Sequence, residues 1–109
     1  MSLASKKCLP CEGGIQPLAS NKIKMYLKLV HANWEVIENY KLRRKFQFVN
    51  FRHTMDFTNK VAEIAELEGH HPVMHVGYGE CTIELWTHAI NGLSENDFIL
   101  AAKIDEVLG

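Results

Sequence analysis

A chain of 109 residues, 47% of them hydrophobic, is long enough for one domain with a modest core and leaves little room for a second. Its 12 Lys and Arg residues balance 13 Asp and Glu residues, without the basic excess typical of nucleic-acid-binding proteins. No stretch approaches the ~20 apolar residues that span a bilayer, the N-terminus lacks a signal-peptide core, and three cysteines fit poorly with a paired disulfide framework. We therefore expect a single cytoplasmic domain over residues 1–109.

Residues 1–19 are predicted to form a loosely held N-terminal arm, because prolines and glycines interrupt regular structure along it. The arm carries CLPC, a C-x-x-C pattern from Cys8 to Cys11. A thioredoxin-like redox motif follows a strand and opens a helix, whereas no strand is predicted before this pair. Two thiols also cannot complete a tetrahedral zinc site by themselves. We interpret them as reduced cysteines, with a redox role as the less favoured alternative.

A first helix and a hairpin follow the arm. Ser20 is predicted to cap a helix that ends near Asn33. Residues 34–37 are predicted as the first strand of the hairpin, and in the second strand Phe46 and Phe48 alternate with polar residues. The basic run at 41–45 is interpreted as a solvated hairpin turn in preference to a phosphate site.

A long helix is predicted to begin after its cap, Asn50, and to end at about Glu68. Its apolar residues follow helical spacing and form a stripe that can pack on a sheet. Gly69 stands where a helix C′ residue belongs, because glycine adopts positive φ without steric cost. The stripe comprises Phe51, Met55, Phe57, Thr58, Val61, Ala62, Ile64 and Ala65.

The sequence EGHHPVMHVGY, from Glu68 to Tyr78, leads from this helix into a second hairpin. Its strands are predicted at about 73–78 and 81–87, joined by a turn at Gly79 and Glu80. Because successive side chains of a strand point to opposite faces, Trp86 and His88 share one face of the last strand. The other face carries Cys81, Ile83 and Leu85.

The order of elements predicts the fold class. Ser94 and Asp97 form a capping box that opens a last helix, so the order is helix, two strands, helix, two strands, helix. An α+β fold accommodates this order, with a four-stranded antiparallel sheet and three helices packed on one face. The other face carries Trp86 and has no helix to cover it, and open edges invite pairing between chains. We therefore expect self-assembly.

His71 and His75 are four residues apart, a spacing that lets two imidazoles share a metal ion on a helix. Pro72 follows the helix stop at Gly69, however, so an extended segment is expected here. Four residues of strand span ~13 Å, too far for two ligands that must each reach a metal at ~2.1 Å. We therefore expect no metal site and interpret His75 as a surface or partner-facing residue.

Three imidazoles are predicted to be neighbours in space. His70 and His71 lie where the long helix enters the third strand, and His88 lies just past the fourth. Antiparallel pairing brings the start of one strand beside the end of the next. Because imidazole gives or takes a proton near neutral pH, the cluster suits proton transfer on a bound small molecule. Trp86 offers an aromatic wall to a flat ligand.

Two carboxylates are candidates for orienting these imidazoles. Glu66 lies four residues before His70 and can accept an imidazole N–H, while a solvated glutamate in the last helical turn is an equally favoured alternative. Asp97 belongs first to the capping box. A second role in holding a histidine is open to it, since a carboxylate accepts more than one hydrogen bond.

The spacing of these residues is similar to that of a known family. Glu66-x3-His70-His71-Pro72 is followed by Tyr78, His88 and Asp97 after five, nine and eight intervening residues. Together with Trp34, KFQFVNF, GLSEND and the arm CLPCEGGIQPL, the pattern resembles the pterin-4a-carbinolamine dehydratases over nearly the whole chain.

The resemblance implies a hydro-lyase that dehydrates 4a-hydroxytetrahydrobiopterin to quinonoid dihydrobiopterin in tetrahydrobiopterin regeneration, with no metal or bound cofactor. It implies proton transfer by His70 and His88 and binding of the polar edge of the pterin by His71. The implied substrate-binding residues are Glu66, Gly69, Trp86, Thr87, Ala89 and Asp97, with backbone groups of the residues at 69, 87 and 89 lining the pocket.

Two departures from the family pattern alter the edge of the expected pocket. Many relatives carry an acidic residue where this chain has Gly69, and an aromatic residue where it has Val73 and Met74. The resemblance also implies a homodimer or homotetramer. Hydropathy predicts no membrane partner, and the balanced charge argues against a nucleic-acid partner. Because some animal members stabilise the dimer of a homeodomain transcription factor, a protein-binding module acting as such a dimerisation cofactor is the alternative function.

Overall fold

The computed structural model describes residues 3–9 and 16–108. The predicted order of three helices and four strands is confirmed, and short 3₁₀ turns at Leu3–Ser5 and His88–Ile90 are added to it. The elements are α1 (Ser20–Leu27), β1 (Glu35–Ile37), β2 (Lys41–Gln47), α2 (Phe51–Glu68), β3 (Val73–Val76), β4 (Glu80–Leu85) and α3 (Glu95–Val107).

The four strands form one antiparallel sheet in the order β1-β2-β4-β3, which confirms the predicted fold class. β4 lies inside the sheet, paired with β2 from Leu42↔Leu85 to Gln47↔Glu80 and with β3 from Val73↔Glu84 to Val76↔Cys81. The side chains that alternate along β4 toward the helices are completely buried, and they join residues of α2 and α3 in one hydrophobic cluster. The period-two pattern therefore identified the core face of this strand correctly.

The ends of α2 and α3 agree with the predicted capping residues. The side chain of Asn50 accepts a hydrogen bond from the backbone N–H of His53 at 2.8 Å, and Gly69 ends α2 with a φ of 67°. The capping box of Ser94 and Asp97 is present at the start of α3. The predicted stripe on α2 is displaced slightly, because Phe51 is 50% exposed and Thr54, which the stripe omitted, is completely buried.

The first helix is shorter than predicted, since α1 ends at Leu27 and not near Asn33. The chain must turn back after it to bury Trp34, of which only 2% is exposed. The indole N–H of Trp34 donates to Asp105 Oδ1 of α3 at 2.8 Å, and the backbone N–H of His31 donates to Asp105 Oδ2 at 3.0 Å. These tertiary contacts outweigh the helical preference of the residues after Leu27.

The basic run at 41–45 lies in β2, so its interpretation as a hairpin turn was wrong. The turn is made by the residues before it, where Glu38 and Asn39 have φ values of 52° and 56°. Arg44 points toward the helices, and its Nη1 donates to Asp105 Oδ1 at 2.6 Å. Because β2 alternates between a helix-covered face and an open face, a run of basic residues is divided between the two faces.

The open face of the sheet carries charged side chains around Glu84. Lys41 Nζ lies 3.2 Å from Glu84 Oε2, and His75 Nε2 lies 3.4 Å from Glu84 Oε1. Burial by itself would raise the pKa of Glu84, but hydrogen bonds from His75 and Lys41 outweigh burial and lower it. His75 is therefore an exposed residue of this face, as the sequence suggested.

Residues 3–9, the first described part of the predicted arm, are not loosely held. Leu3 and Cys8 are only 7% and 8% exposed, and the backbone N–H of Cys8 donates to Glu68 Oε1 at 2.8 Å. Cys11, the second cysteine of the C-x-x-C pattern, lies outside the described residues. Burial of two side chains and a hydrogen bond to α2 attach residues 3–9 to the helical layer.

None of the helices in the ranges 3–9 and 16–108 is long and apolar enough to cross a membrane.

Candidate active site

A cleft of about 400 Å³ opens where α2 ends, β4 ends and α3 begins. This volume lies in the range of small-molecule sites, which is roughly 300–1,000 Å³. All three predicted imidazoles border it, together with parts of the N-terminal segment. The lining residues are Cys8, Leu9, Glu68, Gly69, His70, His71, Trp86, His88, Ala89 and Asn96.

Backbone geometry brings the distant histidines to this cleft. Gly69 ends α2 in the left-handed conformation, so the chain leaves the helix at His70 and enters β3 at Val73. Val73 pairs with Glu84 near the end of β4, and His88 follows β4 in a short 3₁₀ turn. The antiparallel β3–β4 pair therefore places the start of one strand beside the end of the other.

The carboxylate of Asp97 holds His70. His70 Nε2 lies 2.6 Å from Asp97 Oδ1, and the imidazole is 12% exposed while Asp97 is completely buried. The other carboxylate oxygen, Oδ2, accepts from Thr87 Oγ1 at 2.8 Å and from the backbone N–H of Ser94 at 3.0 Å. Asp97 thus performs both the capping role and the second role proposed for it, because its two oxygens face different donors.

Glu66 contacts His71 and not His70, the imidazole four residues after it. Glu66 Oε2 lies 2.5 Å from His71 Nε2, and the two side chains are 75% and 59% exposed. Glu66 itself does not line the cleft. Because solvent screens an exposed pair of this kind, it contributes far less than the buried contact of His70.

His88 and Trp86 form an aromatic side of the cleft. Their ring centroids are 4.7 Å apart with the planes inclined at 53°. Trp86 also contacts Tyr40, at 5.9 Å between centroids, and Lys41 Nζ lies 5.5 Å from its ring centre. Contacts on both sides limit the rotation of the indole, so it can offer a fixed surface to a flat ligand.

Thr87 does not line the cleft as expected. It was expected to line the pocket through its backbone, but its N–H donates to the carbonyl of Gly92 at 2.8 Å and it does not border the cleft. Its buried hydroxyl contacts Asp97, so Thr87 supports the carboxylate that holds His70. Ala89 and Gly69 do border the cleft.

The cleft is also lined by Leu9, Glu68 and Asn96, which were not predicted as site residues, and by Cys8, which was interpreted as a reduced cysteine outside the site. Burial raises the pKa of Cys8 to about 12, and the neighbouring charge of Glu68 adds to this effect. A thiol with such a pKa is not a nucleophile near neutral pH. The only sequence signal for Asn96 was its position beside Asp97, since nothing local predicts that the N-terminal segment reaches α3.

No group of three or more His, Cys, Asp or Glu side chains suited to a metal ion occurs within 3–9 and 16–108. The arrangement that is present favours acid-base chemistry. One imidazole is fixed by a buried carboxylate, a second stands beside an indole, and the side chain of the third is 59% exposed. Such groups can exchange protons with a bound ligand from more than one direction.

Known proteins of one family are similar to this chain over most of its length. Residues 16–107 match the family model described as "Pterin 4 alpha carbinolamine dehydratase". The "Putative pterin-4-alpha-carbinolamine dehydratase" of Rickettsia canadensis (strain McKiel) is 52% identical over 103 residues, which cover 94% of each chain. The protein of the same name from Alkaliphilus metalliredigens (strain QYMF) is 48% identical over 105 residues, covering 96% of this chain and 95% of the relative.

Two solved structures share the fold. The transcriptional coactivator/pterin dehydratase from Brucella melitensis matches with a TM-score of 0.80 at 26% identity, over 86% of this chain and 100% of that one. A pterin dehydratase-like protein described as a RuBisCO assembly factor in the alpha-carboxysome matches with a TM-score of 0.63 at 26% identity, over 72% and 93%.

Proposed function

The chain belongs to the pterin 4 alpha carbinolamine dehydratase family, and we propose that it is a hydro-lyase that dehydrates 4a-hydroxytetrahydrobiopterin to quinonoid dihydrobiopterin. The observation that carries the proposal is that His70, His71 and His88 border one cleft of a size suited to a small molecule. The proposed reaction would serve the regeneration of tetrahydrobiopterin.

The reaction removes one water molecule and needs two proton transfers. The C4a–O bond breaks, and the leaving hydroxyl takes up a proton to depart as water. A ring nitrogen loses a proton, so that no net charge remains on the pterin. The proposal assigns both transfers to imidazoles, and neither step requires a metal ion or a bound cofactor.

His70 and His88 are assigned the direct proton transfers, and His71 is assigned the binding of the polar edge of the pterin. Because Asp97 accepts from Nε2 of His70 at 2.6 Å, the neutral imidazole keeps its proton on Nε2. Nδ1 is then the nitrogen that can exchange a proton with the substrate. His88 belongs to a different segment of the chain, so the two histidines can transfer protons at different atoms of the pterin.

Trp86, Gly69 and Ala89 are assigned to substrate binding because they border the same cleft. The indole supplies an apolar surface on which a flat heterocycle can stack. Glu66, Thr87 and Asp97 act through the histidines, according to the contacts described above. Substitution of Thr87 or Asp97 should therefore affect the chemical step more than the binding of a pterin. Substitution of Glu66, which contacts the pterin-binding His71, should affect binding instead.

The test is a stopped-flow assay with freshly generated 4a-hydroxytetrahydrobiopterin, monitored for the loss of water. The variants His70→Ala and His88→Ala should each lower the dehydration rate by about 10²–10⁴-fold, the usual contribution of a general acid or base. His53→Ala is a matched control, since His53 is exposed on α2 and does not border the cleft. Full activity in either cleft variant, with normal folding, would contradict the assignment.

A protein-binding function is the second candidate, as a dimerisation cofactor of a transcription factor. It is supported by the description of one structural neighbour as a transcriptional coactivator and of another as an assembly factor. Size-exclusion chromatography of the protein mixed with a homeodomain factor would test it. Co-elution by a variant that lacks His70 and His88 would separate this function from catalysis.

We also propose a homodimer or homotetramer in the cytoplasm. β1 and β3 are the edge strands of the sheet, and its open face has no helix over it within the described residues. Unpaired strand edges favour association between chains. Sedimentation-equilibrium analysis would distinguish a dimer from a tetramer, and a monomer at micromolar concentration would contradict the proposal.

A further inference from the structure

The N-terminal segment Leu3–Leu9, here called the strap, is attached to the helical layer and ends at the cleft. It contacts α3, and Lys103 Nζ of that helix donates to the carbonyl of Ala4 at 2.7 Å. Leu3 and Cys8 are buried in the core, whereas the side chain of Leu9 is 68% exposed and borders the cleft. The strap thereby brings an apolar side chain to the histidine site from a distant part of the sequence.

Asn96 holds the backbone of Leu9 at both of its polar groups. The N–H of Leu9 donates to Asn96 Oδ1 at 2.9 Å, and Asn96 Nδ2 donates to the carbonyl of Leu9. The neighbouring residue is also fixed, because the N–H of Cys8 donates to Glu68 Oε1 and its thiol lies 3.6 Å from the carbonyl oxygen of Asn96. Asn96 is only 7% exposed, so its amide is largely removed from water while it binds the partly buried backbone of Leu9.

A buried polar side chain is thus used to fix the backbone of an exposed leucine. A single exposed leucine is common on protein surfaces and needs no explanation by itself. Leu9 differs because its backbone is fixed by a buried amide and its side chain borders a cleft with three imidazoles. Because the backbone of Leu9 is already fixed, a ligand that covers its side chain restricts only the rotamers of that side chain.

We propose that Leu9 is a specificity-determining residue that contacts the substituent of the bound heterocycle, and that Asn96 is the positioning residue for it. The substrate class is a carbinolamine of a flat heterocycle whose substituent has apolar atoms for Leu9 to cover. Identification of the ring as a pterin rests on the function proposed above. The chemistry at His70 and His88 does not involve Leu9, so this residue affects binding and not the proton transfers.

The first experiment compares two 4a-hydroxytetrahydropterins, one with an alkyl substituent on the ring and one without it. For Leu9→Ala we expect KM to rise roughly fourfold for the substituted compound, because loss of about one buried CH₂ of apolar contact weakens binding by about that factor. For the unsubstituted compound KM should change less than about twofold, and kcat should be unchanged for both. Leu29→Ala is the matched control, because Leu29 is 58% exposed and does not border the cleft.

The second experiment tests the positioning role of Asn96. Asn96→Ala removes both contacts to Leu9, so it should reproduce the KM effect of Leu9→Ala and speed tryptic cleavage after Lys6 and Lys7. Asn96→Asp retains an acceptor for the Leu9 N–H, and an acidic residue suits the first turn of α3. It should therefore show an intermediate KM and slower cleavage than the alanine variant.

An equal KM for wild type and Leu9→Ala with both compounds would overturn the inference, as would a fall in kcat with KM unchanged. Because Leu9 is exposed, its variant folds normally and decides the question even if Asn96→Ala is unstable. If the wild type shows no turnover, titration with a stable dihydropterin, followed by tryptophan fluorescence, replaces the kinetics. Weaker binding by Leu9→Ala then supports the contact of Leu9 with the ligand, although the proposed reaction has failed. Equal binding by the two proteins, or no binding by wild type, overturns the inference.

Discussion

Replacing Asp97 by asparagine should exchange the proton between the two nitrogens of His70. Two donors, the Thr87 hydroxyl and the Ser94 N–H, point at the same carboxylate oxygen, Oδ2. In the variant, the amide oxygen must occupy this position, because an NH₂ group there would face two donors. The NH₂ group then lies 2.6 Å from His70 Nε2, where it can only donate.

The consequence for His70 follows from its hydrogen-bonding capacity. If Nε2 accepts from the amide, the neutral ring must carry its proton on Nδ1 and cannot act as a base there. Loss of one general base lowers a rate by about 10²–10⁴-fold. The buried site keeps its hydrogen bonds but loses a charge-assisted one, so the free energy of unfolding should fall by only about 1–2 kcal/mol.

Stopped-flow kinetics and ¹⁵N chemical shifts of the His70 ring test the two parts of this argument. Thr87→Val is the matched control, because it removes one donor and leaves the carboxylate in place. We expect it to lower the rate less than about tenfold. A folded Asp97→Asn variant with more than a third of wild-type activity, or with the proton still on Nε2, would refute the reasoning.

Three further predictions concern charges and thiols elsewhere. The lowered pKa of Glu84 contributes stability that is present above its ordinary value of 4.5 and is lost as pH falls through the lowered one. In urea denaturation at pH 7, Glu84→Gln should therefore lower the free energy of unfolding by less than about 1 kcal/mol after solvent screening, and the difference from wild type should shrink as pH falls below 4.5. With a pKa of about 12, Cys8 should be alkylated at pH 8 more than about a hundredfold more slowly in the folded than in the unfolded protein, as peptide mass spectrometry can measure. Asp105→Ala leaves Arg44 buried without the carboxylate 2.6 Å from it, so the free energy of unfolding measured in urea should fall by about 3 kcal/mol. An unchanged urea midpoint would contradict the stabilising role of this ion pair.

Local signals in the sequence predicted both ends of α2 and the start of α3 well, but not the end of α1. Asn50, Gly69 and the Ser94–Asp97 box act within a few residues of their own backbone, so their effect does not depend on the rest of the fold. The alternation in β4 predicted its buried face for the same reason. The meeting of His70 and His88 followed from these elements, because pairing two adjacent strands leaves few alternatives for where their ends lie.

Only the tertiary structure decided which side chains meet across the layers. Asp97 faces His70 and Glu66 faces His71, although sequence spacing suggested Glu66 for the first histidine. The strap reaches α3 through Asn96, a contact between residues 87 positions apart that no local pattern encodes. Sequence therefore determined the elements and the chemistry they carry. The packing of helices on the sheet selected the partner of each side chain, because partners across layers are chosen by distance in space and not along the chain.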